Sequence, residues 1–108
     1  MIFGQHNNIL KLKPNNENFI KSFNLDLFNI KYNNHDVILI IDFIIDSSLI
    51  DILNKWMIEL ERTNNSVLIV VDLADESLLK NESIIIVPSI KEAIDYIELE
   101  RINRDLGL

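Results

Sequence analysis

Apolar positions along the chain follow two periodicities, one typical of strands and one of helices. Three apolar runs, at residues 37–41, 67–71 and 83–87 (the last opening with Ser83), indicate strands that are buried in a sheet. Residues 1–3 and 9–13 predict two further short strands, and alternation in the second of them indicates one solvent-facing side. Pro14 ends that second strand.

Helical spacing is clearest between residues 49 and 60, where an apolar stripe opposes a polar face. The stripe consists of Leu49, Ile50, Ile52, Leu53, Trp56, Met57 and Leu60. The same spacing predicts an earlier helix from residue 16 to residue 30, and residues 72–82 predict a short turn or helix. A capping box of Ser89 and Glu92 opens a last helix that should extend to about Arg104.

The predicted order of elements is ββαβαβαβα. Because helical crossovers join the last three strands, these strands should be parallel. We therefore predict an α/β fold with a mixed sheet of about five strands and with helices packed mainly on one face. The 108 residues suit a single domain, residues 1–108.

Charge and composition exclude several classes of function. With a formal charge of −7 and ten scattered Lys and Arg residues, the chain has no basic stripe for nucleic acid and would be repelled by anionic membranes. The apolar run at residues 37–45 is too short to span a bilayer, and the N-terminus lacks the pattern of a signal peptide. The chain has no cysteine, which fits a reducing compartment. We expect a cytoplasmic protein without a cofactor.

The segment IIDSS, residues 44–48, precedes the clearest helix. It resembles the Asp-Ser-Ser-Gly segment that opens the second helix of STAS domains, the fold of anti-sigma-factor antagonists and of sulfate-transporter tails. The order of elements is similar over nearly the whole chain, although Leu49 stands where that family has Gly. The resemblance implies a non-enzymatic regulatory domain that binds another protein. It also implies that Ser47, with Ser48 beside it, is a candidate phosphorylation site.

The C-terminal segment, which ends in ERINRDLGL, is similar to the end of a small bacterial family of uncharacterised STAS-like proteins. Some of those proteins bear the name ribonuclease Z, an enzyme of tRNA 3′ processing that holds two zinc ions in a His-x-His-x-Asp-His cluster. This chain has only His6 and His35, outside any such spacing. We therefore predict no metal site and no enzyme activity. The RNA-processing hydrolase is the alternative from another class, and a diverged adaptor without a serine switch is the alternative within the same class.

Two interpretations of the serines remain open. As an N-cap, Ser48 places Asp51 at the third helical position, and Asp46 favours the positive end of the helix dipole. A phosphate on Ser47 would instead add charge beside Asp46 and Asp51 and would act by repelling a partner. In both cases this helix start is a candidate partner surface, consisting of Asp46, Ser47, Ser48 and Asp51.

Asp42 and Asp72 each follow an apolar strand, and parallel strands would place them at neighbouring carboxyl ends. In a receiver domain, the second candidate fold, such carboxylates bind magnesium and accept phosphate. That fold also needs a Lys after its last strand, where this chain reads Val87-Pro88-Ser89. An aspartate that caps a loop is the commoner case.

The last helix carries apolar residues on two different faces. Ile90, Ala93, Ile94 and Ile97 should meet the sheet. A second stripe, flanked by charges on both sides, consists of Tyr96, Leu99, Ile102 and Leu106. We predict that this second stripe contacts a partner protein or a second copy in a homodimer. The alternative is that the tail folds back on the N-terminal hairpin of the same chain.

Overall fold

The computed structural model describes residues 2–22, 35–43, 47–64, 67–72 and 85–107. In this part of the chain, five strands and three helices follow one another. The strands are β1 (Ile2–His6), β2 (Ile9–Leu12), β3 (Asp36–Ile41), β4 (Leu68–Asp72) and β5 (Ile85–Val87). The helices are α1 (Glu17–Ser22), α2 (Ser47–Asn64) and α3 (Ile90–Asp105). The predicted α/β class is confirmed.

The five strands form one sheet in the order β1-β2-β3-β4-β5. β1 and β2 are antiparallel, whereas β2, β3, β4 and β5 are parallel to one another. Parallel neighbours need a crossover connection, and α2 supplies the one between β3 and β4. The central strand β3 is buried along its whole length, but β5 lies at an edge and is only half-buried. The expectation that residues 83–87 form a buried strand is therefore wrong for β5.

A two-residue turn joins β1 to β2. Asn7 and Asn8 have φ angles of 51° and 58°, the positive values that a type I′ hairpin turn requires at both central positions. Asparagine tolerates this left-handed region better than other non-glycine residues because its side chain is short and polar. The turn is shorter than the GQHNN segment that the sequence indicated, since β1 extends to His6.

Helices cover both faces of the sheet, so the expectation of helices mainly on one face is wrong for α3. On one face, α1 and α2 pack over one set of alternating strand residues: Leu10, Leu12, Val37, Leu39, Ile41, Leu68 and Val70. On the opposite face, α3 packs over the other set: Ile9, Ile38, Ile40, Ile69 and Val71. The predicted α2 stripe is confirmed, with Leu49, Leu53, Trp56 and Leu60 buried. Trp56 is thus a core residue.

Two element boundaries differ from those predicted. β3 begins at Asp36, one residue before the apolar run at 37–41 that predicted it. α2 extends to Asn64, beyond the helical spacing that ends at Leu60. α1 is described as far as Ser22, so the predicted continuation to residue 30 lies outside the described residues, as does the short turn or helix at residues 73–82. No described helix is long and apolar enough to cross a membrane.

Candidate functional site

Helix α3 is attached to the sheet along one face. Ser89 is its N-cap, and the backbone N–H of Glu92 donates a hydrogen bond of 3.2 Å to the Ser89 hydroxyl oxygen. That bond satisfies one of the N–H groups that lack a partner at a helix start. Ala93 and Ile97 are fully buried against the sheet, with Ile90 and Ile94 packed beside them. The predicted cap and the predicted sheet-facing stripe are both confirmed.

Asp36 is the centre of a buried polar cluster at the other end of α3. Its side chain is 4% exposed, and Arg101 Nε donates to its Oδ2 over 2.8 Å. Arg104 donates from one nitrogen to both carboxylate oxygens, at 3.3 Å and 3.2 Å. The backbone N–H of Val67 donates to Oδ1 over 2.9 Å. We call Asp36, Arg101 and Arg104 the Asp36 cluster.

Arg101 also holds the hairpin turn. Its two terminal nitrogens donate to the carbonyl oxygens of Asn7, at 2.6 Å, and Asn8, at 3.0 Å. The backbone of Asp36 continues this connection, because its N–H donates to the Asn8 carbonyl over 2.9 Å. All three guanidinium nitrogens of Arg101 therefore donate within the chain. A planar guanidinium suits this role because its donors point in fixed directions.

The Asp36 cluster joins the amino ends of β2, β3 and β4 to the C-terminal half of α3. A carboxylate this deeply buried is tolerated because it accepts hydrogen bonds from two arginines and one backbone N–H. Removing one partner of such a pair leaves an uncompensated charge, which is strongly destabilising. Arg101 of α3 therefore contacts the N-terminal hairpin turn, whereas the predicted fold-back alternative concerned the apolar stripe of the same helix.

The second apolar stripe of α3 remains uncovered by the described residues. Tyr96, Leu99, Ile102 and Leu106 are 37%, 59%, 55% and 67% exposed. We call these four residues the outer apolar face. At about 100° per residue they lie on the side of α3 opposite the buried Ala93 and Ile97. The prediction of exposed apolar residues at these four positions is confirmed.

Tyr96 is the titratable group in the outer apolar face. Partial burial raises the pKa of its phenol above the ordinary value of 10.0, and the carboxylates of Glu100 and Glu61 raise it further. Glu100 lies one helical turn after Tyr96 on α3, whereas Glu61 belongs to α2. Tyr96 is therefore a neutral hydrogen-bonding group at neutral pH, placed among aliphatic side chains.

A groove of about 740 Å³ lies beside α3 on the same face of the sheet. It is lined by the turn residues Asn7 and Asn8, by Ile9 and Lys11 of β2, and by Ile94, Glu98 and Arg101 of α3. The groove lies between α3, which packs over β3, β4 and β5, and strand β2 with the turn before it. Its lining combines two cations, one carboxylate and two isoleucines, so it selects no single class of ligand.

The start of α2 is the other candidate surface. Helix α2 begins at Ser47, so Ser48 lies inside the first turn, and the prediction of Ser48 as the N-cap is wrong. Ser48 and Asp51 are exposed, whereas Asp46 lies outside the described residues. The prediction placed the helix start too late because it relied on the apolar stripe, which begins at Leu49 and does not mark the first helical residue.

The structure does not bring the two candidate surfaces together. α2 begins after the carboxyl end of β3, while the Asp36 cluster anchors the end of α3 at the amino end of β3. The two helices also pack on opposite faces of the sheet. Ser48 and Asp51 therefore belong to a different surface from Tyr96, Leu99, Ile102 and Leu106.

Asp42 and Asp72 lie at neighbouring strand ends, as predicted, because Ile41 of β3 is paired with Asp72 of β4. Asp42 is exposed, and its carboxylate lies 3.9 Å from Lys13 Nζ. Among the described residues, no three His, Asp or Glu side chains are grouped as metal ligands. The structure thus places Asp42 in an exposed ion pair with Lys13, the residue that follows β2.

Sequence reasoning missed the Asp36 cluster. A signal was present, because Asp36 directly precedes a continuous apolar run. A carboxylate at the start of a buried strand is costly to bury unless cations neutralise it. Arg101 and Arg104, three residues apart, lie on one side of the last helix and supply those cations.

Comparisons with protein-family models, with curated proteins and with solved structures found no match for the chain.

Proposed function

We propose that the chain is a STAS-like protein-interaction domain that acts without catalysis, by binding another protein through the outer apolar face. One observation carries this proposal: four large apolar or aromatic side chains stand exposed along one side of a helix whose opposite side is buried. Exposed apolar patches of a few hundred Å² are typical of contact sites, whereas single exposed apolar residues are ordinary.

The anchoring of α3 supports this function. The Asp36 cluster and the buried contacts of Ala93 and Ile97 hold the helix at both ends of its length. A helix fixed in this way presents its outer residues without further ordering, which lowers the entropic cost of binding. The hydrogen bonds of Arg101 to the hairpin turn add to this rigidity.

We further propose that the serine segment regulates binding. Ser47 is the first residue of α2, and Ser48, beside it, is exposed. A phosphate there would add negative charge to a second surface, far from the outer apolar face, and would change which partners bind at α2. Mass spectrometry of the protein from its own cells tests this part, since phosphorylation adds a mass shift to the peptide that contains Ser47 and Ser48.

The main experiment compares three forms of the protein as bait in extract of its own cells: wild type, Leu99→Glu with Ile102→Glu, and the control Ile58→Glu. Ile58 is 56% exposed on α2 and is the matched control, because it is also a large exposed aliphatic residue. We expect one protein to be retained by wild type and by Ile58→Glu, and to be lost with the double variant.

Circular dichroism should show all three forms folded, since the substituted side chains are exposed. Equal retention by all three forms would reject the outer apolar face as the binding site. Loss with Ile58→Glu as well would indicate that general surface hydrophobicity, rather than this face, is responsible.

A further inference from the structure

The outer face of α3 is acidic. Around the apolar residues stand the exposed side chains of Glu92, Asp95, Glu98 and Asp105, with Glu100 half-buried on the far side. Within the described residues, no cation lies within salt-bridge distance of these five carboxylates. Lys91, at the start of the helix, is the one exposed cation on α3.

Both arginines of the C-terminal half of α3 lie on its inner side. At about 100° per residue, Arg101 and Arg104 share the side of the helix that carries the buried Ala93 and Ile97. Their guanidinium groups bind Asp36 there, and their side chains are only 31% and 28% exposed. The carboxylates of the outer side thus face solvent without these two cations.

We infer that the partner of the outer apolar face is a helical segment whose own apolar stripe is flanked by lysine or arginine. This inference rests on the proposed function. The face runs from residue 96 to residue 106, about 15 Å along the helix axis, which suits a second helix laid alongside. Basic flanks on that helix oppose the acidic residues of α3 and raise the rate of encounter.

A second copy of the chain fits this face poorly. Two copies would bring the same carboxylates together across the contact, and like charges opposite one another are unfavourable. The area is also small, because the face has four apolar or aromatic side chains, whereas a stable interface uses roughly 20–30 residues on each side. A partner with complementary charge offsets the small area, whereas a second copy adds repulsion.

Peptide selection tests the partner's chemistry directly. The probe is a displayed library of helical peptides with fixed leucines at helical spacing and with each flanking position free to be Lys, Glu, Gln or Ser. The immobilised full chain is used as wild type, as Leu99→Glu with Ile102→Glu, and as the charge-reversed variant Glu98→Lys with Asp105→Lys.

We expect wild type to enrich peptides with lysine flanks, and the apolar double variant to enrich none of them. In fluorescence anisotropy, replacing the lysine flanks of a selected peptide by glutamate should weaken binding about tenfold, since each exposed ion pair contributes little but several act together. Added salt should weaken the binding of the lysine-flanked peptide. The charge-reversed variant should prefer glutamate flanks instead.

The other outcomes are distinguishable. Enrichment of neutral or acidic flanks that still depends on Leu99 and Ile102 would overturn the inference and leave the proposed function in place. Absence of any peptide that depends on these two residues would reject the binding face itself. Sedimentation that shows a wild-type dimer, converted to monomer by Leu99→Glu with Ile102→Glu, would make a second copy the occupant and overturn the basic partner.

Discussion

Arg101 and Asp36 form the shortest ion pair of the described chain, 2.8 Å between Nε and Oδ2, although 65 residues separate them in sequence. Through the same guanidinium group, α3 reaches the carbonyl oxygens of the β1–β2 turn. One side chain therefore connects the last helix, the central strand and the first hairpin. We expect the fold to depend on it more than on any exposed ion pair.

Replacement of arginine by methionine measures this dependence. Arg101→Met should lower the free energy of unfolding by about 2–4 kcal/mol, because it leaves Asp36 and two carbonyl groups with fewer donors. Arg104→Met should cost less, about 1–2 kcal/mol, since the hydrogen bonds of Arg104 to Asp36, 3.2 Å and 3.3 Å, are longer than the 2.8 Å bond of Arg101. Denaturant unfolding of each variant gives these values.

Arg62→Met is the matched control for both arginine variants. Arg62 pairs with Glu59 one turn earlier on α2, and its side chain is 68% exposed, so its loss should change stability by less than about 0.5 kcal/mol. An equal cost at Arg62 and Arg101 would mean that the Asp36 cluster contributes no more than a surface pair.

Asn8 tests the hairpin turn. Because its φ is 58°, Asn8→Ala should destabilise the protein by about 1 kcal/mol, while Asn8→Gly should be neutral or slightly stabilising. Both substitutions remove the same amide and keep the backbone carbonyl that Arg101 binds. Thermal unfolding of the two variants should thus differ in the stated direction, and equal midpoints would contradict the turn type.

Truncation at two nearby positions on α3 should change the stability of the protein by very different amounts. Ile97→Ala removes a fully buried side chain and should cost about 2–5 kcal/mol. Leu99→Ala removes a side chain that is 59% exposed and should change the stability of the free protein by less than about 0.5 kcal/mol. A large loss at Leu99, measured by urea unfolding of the monomer, would show that residues of the same chain cover the outer apolar face.

Two serines at helix starts provide a further comparison. Ser89→Ala should cost about 0.5–2 kcal/mol, because the Glu92 N–H loses its acceptor at the N-cap of α3. Ser48→Ala should cost less, since Ser48 lies within α2 and not at its cap. Denaturation midpoints in the reverse order would place the α2 cap at Ser48 after all.

Tyr96 should make stability depend on pH in the alkaline range. Because its folded-state pKa is raised by burial, then by Glu100 and Glu61, the folded chain keeps the phenolic proton at pH values where the unfolded chain has lost it. The stabilisation is fully present below pH 10.0 and is lost as the pH rises through the folded-state pKa. Unfolding measured at increasing pH should show this decline.

Two variants test whether Tyr96 causes that loss of stability at alkaline pH. Tyr96→Phe should remove the corresponding part of the pH dependence and one step of the phenolate absorbance. Glu100→Gln should lower the Tyr96 pKa only in part, since burial is the larger cause. A full return to the ordinary value in Glu100→Gln would make charge, rather than burial, the main cause.

The sequence by itself was sufficient to predict those features of the fold that depend on local periodicity. The spacing of Leu49, Leu53, Trp56 and Leu60 predicts the buried side of α2, and the Ser89 cap predicts the start of α3, because both depend on residues within a few positions of one another. The two apolar faces of α3 follow from the same periodicity. The α/β class follows from helices that alternate with apolar strands.

Only the tertiary structure decided what the two arginines of α3 bind. Asp36 and Arg101 interact across 65 residues, and no periodic pattern connects them. Which face of the sheet α3 covers also depends on packing, because β3 and β4 are apolar on both sides and either side could accept a helix. Once α3 packs where it does, the two arginines on its inner side reach the buried carboxylate of Asp36, and the acids of its outer side remain in solvent.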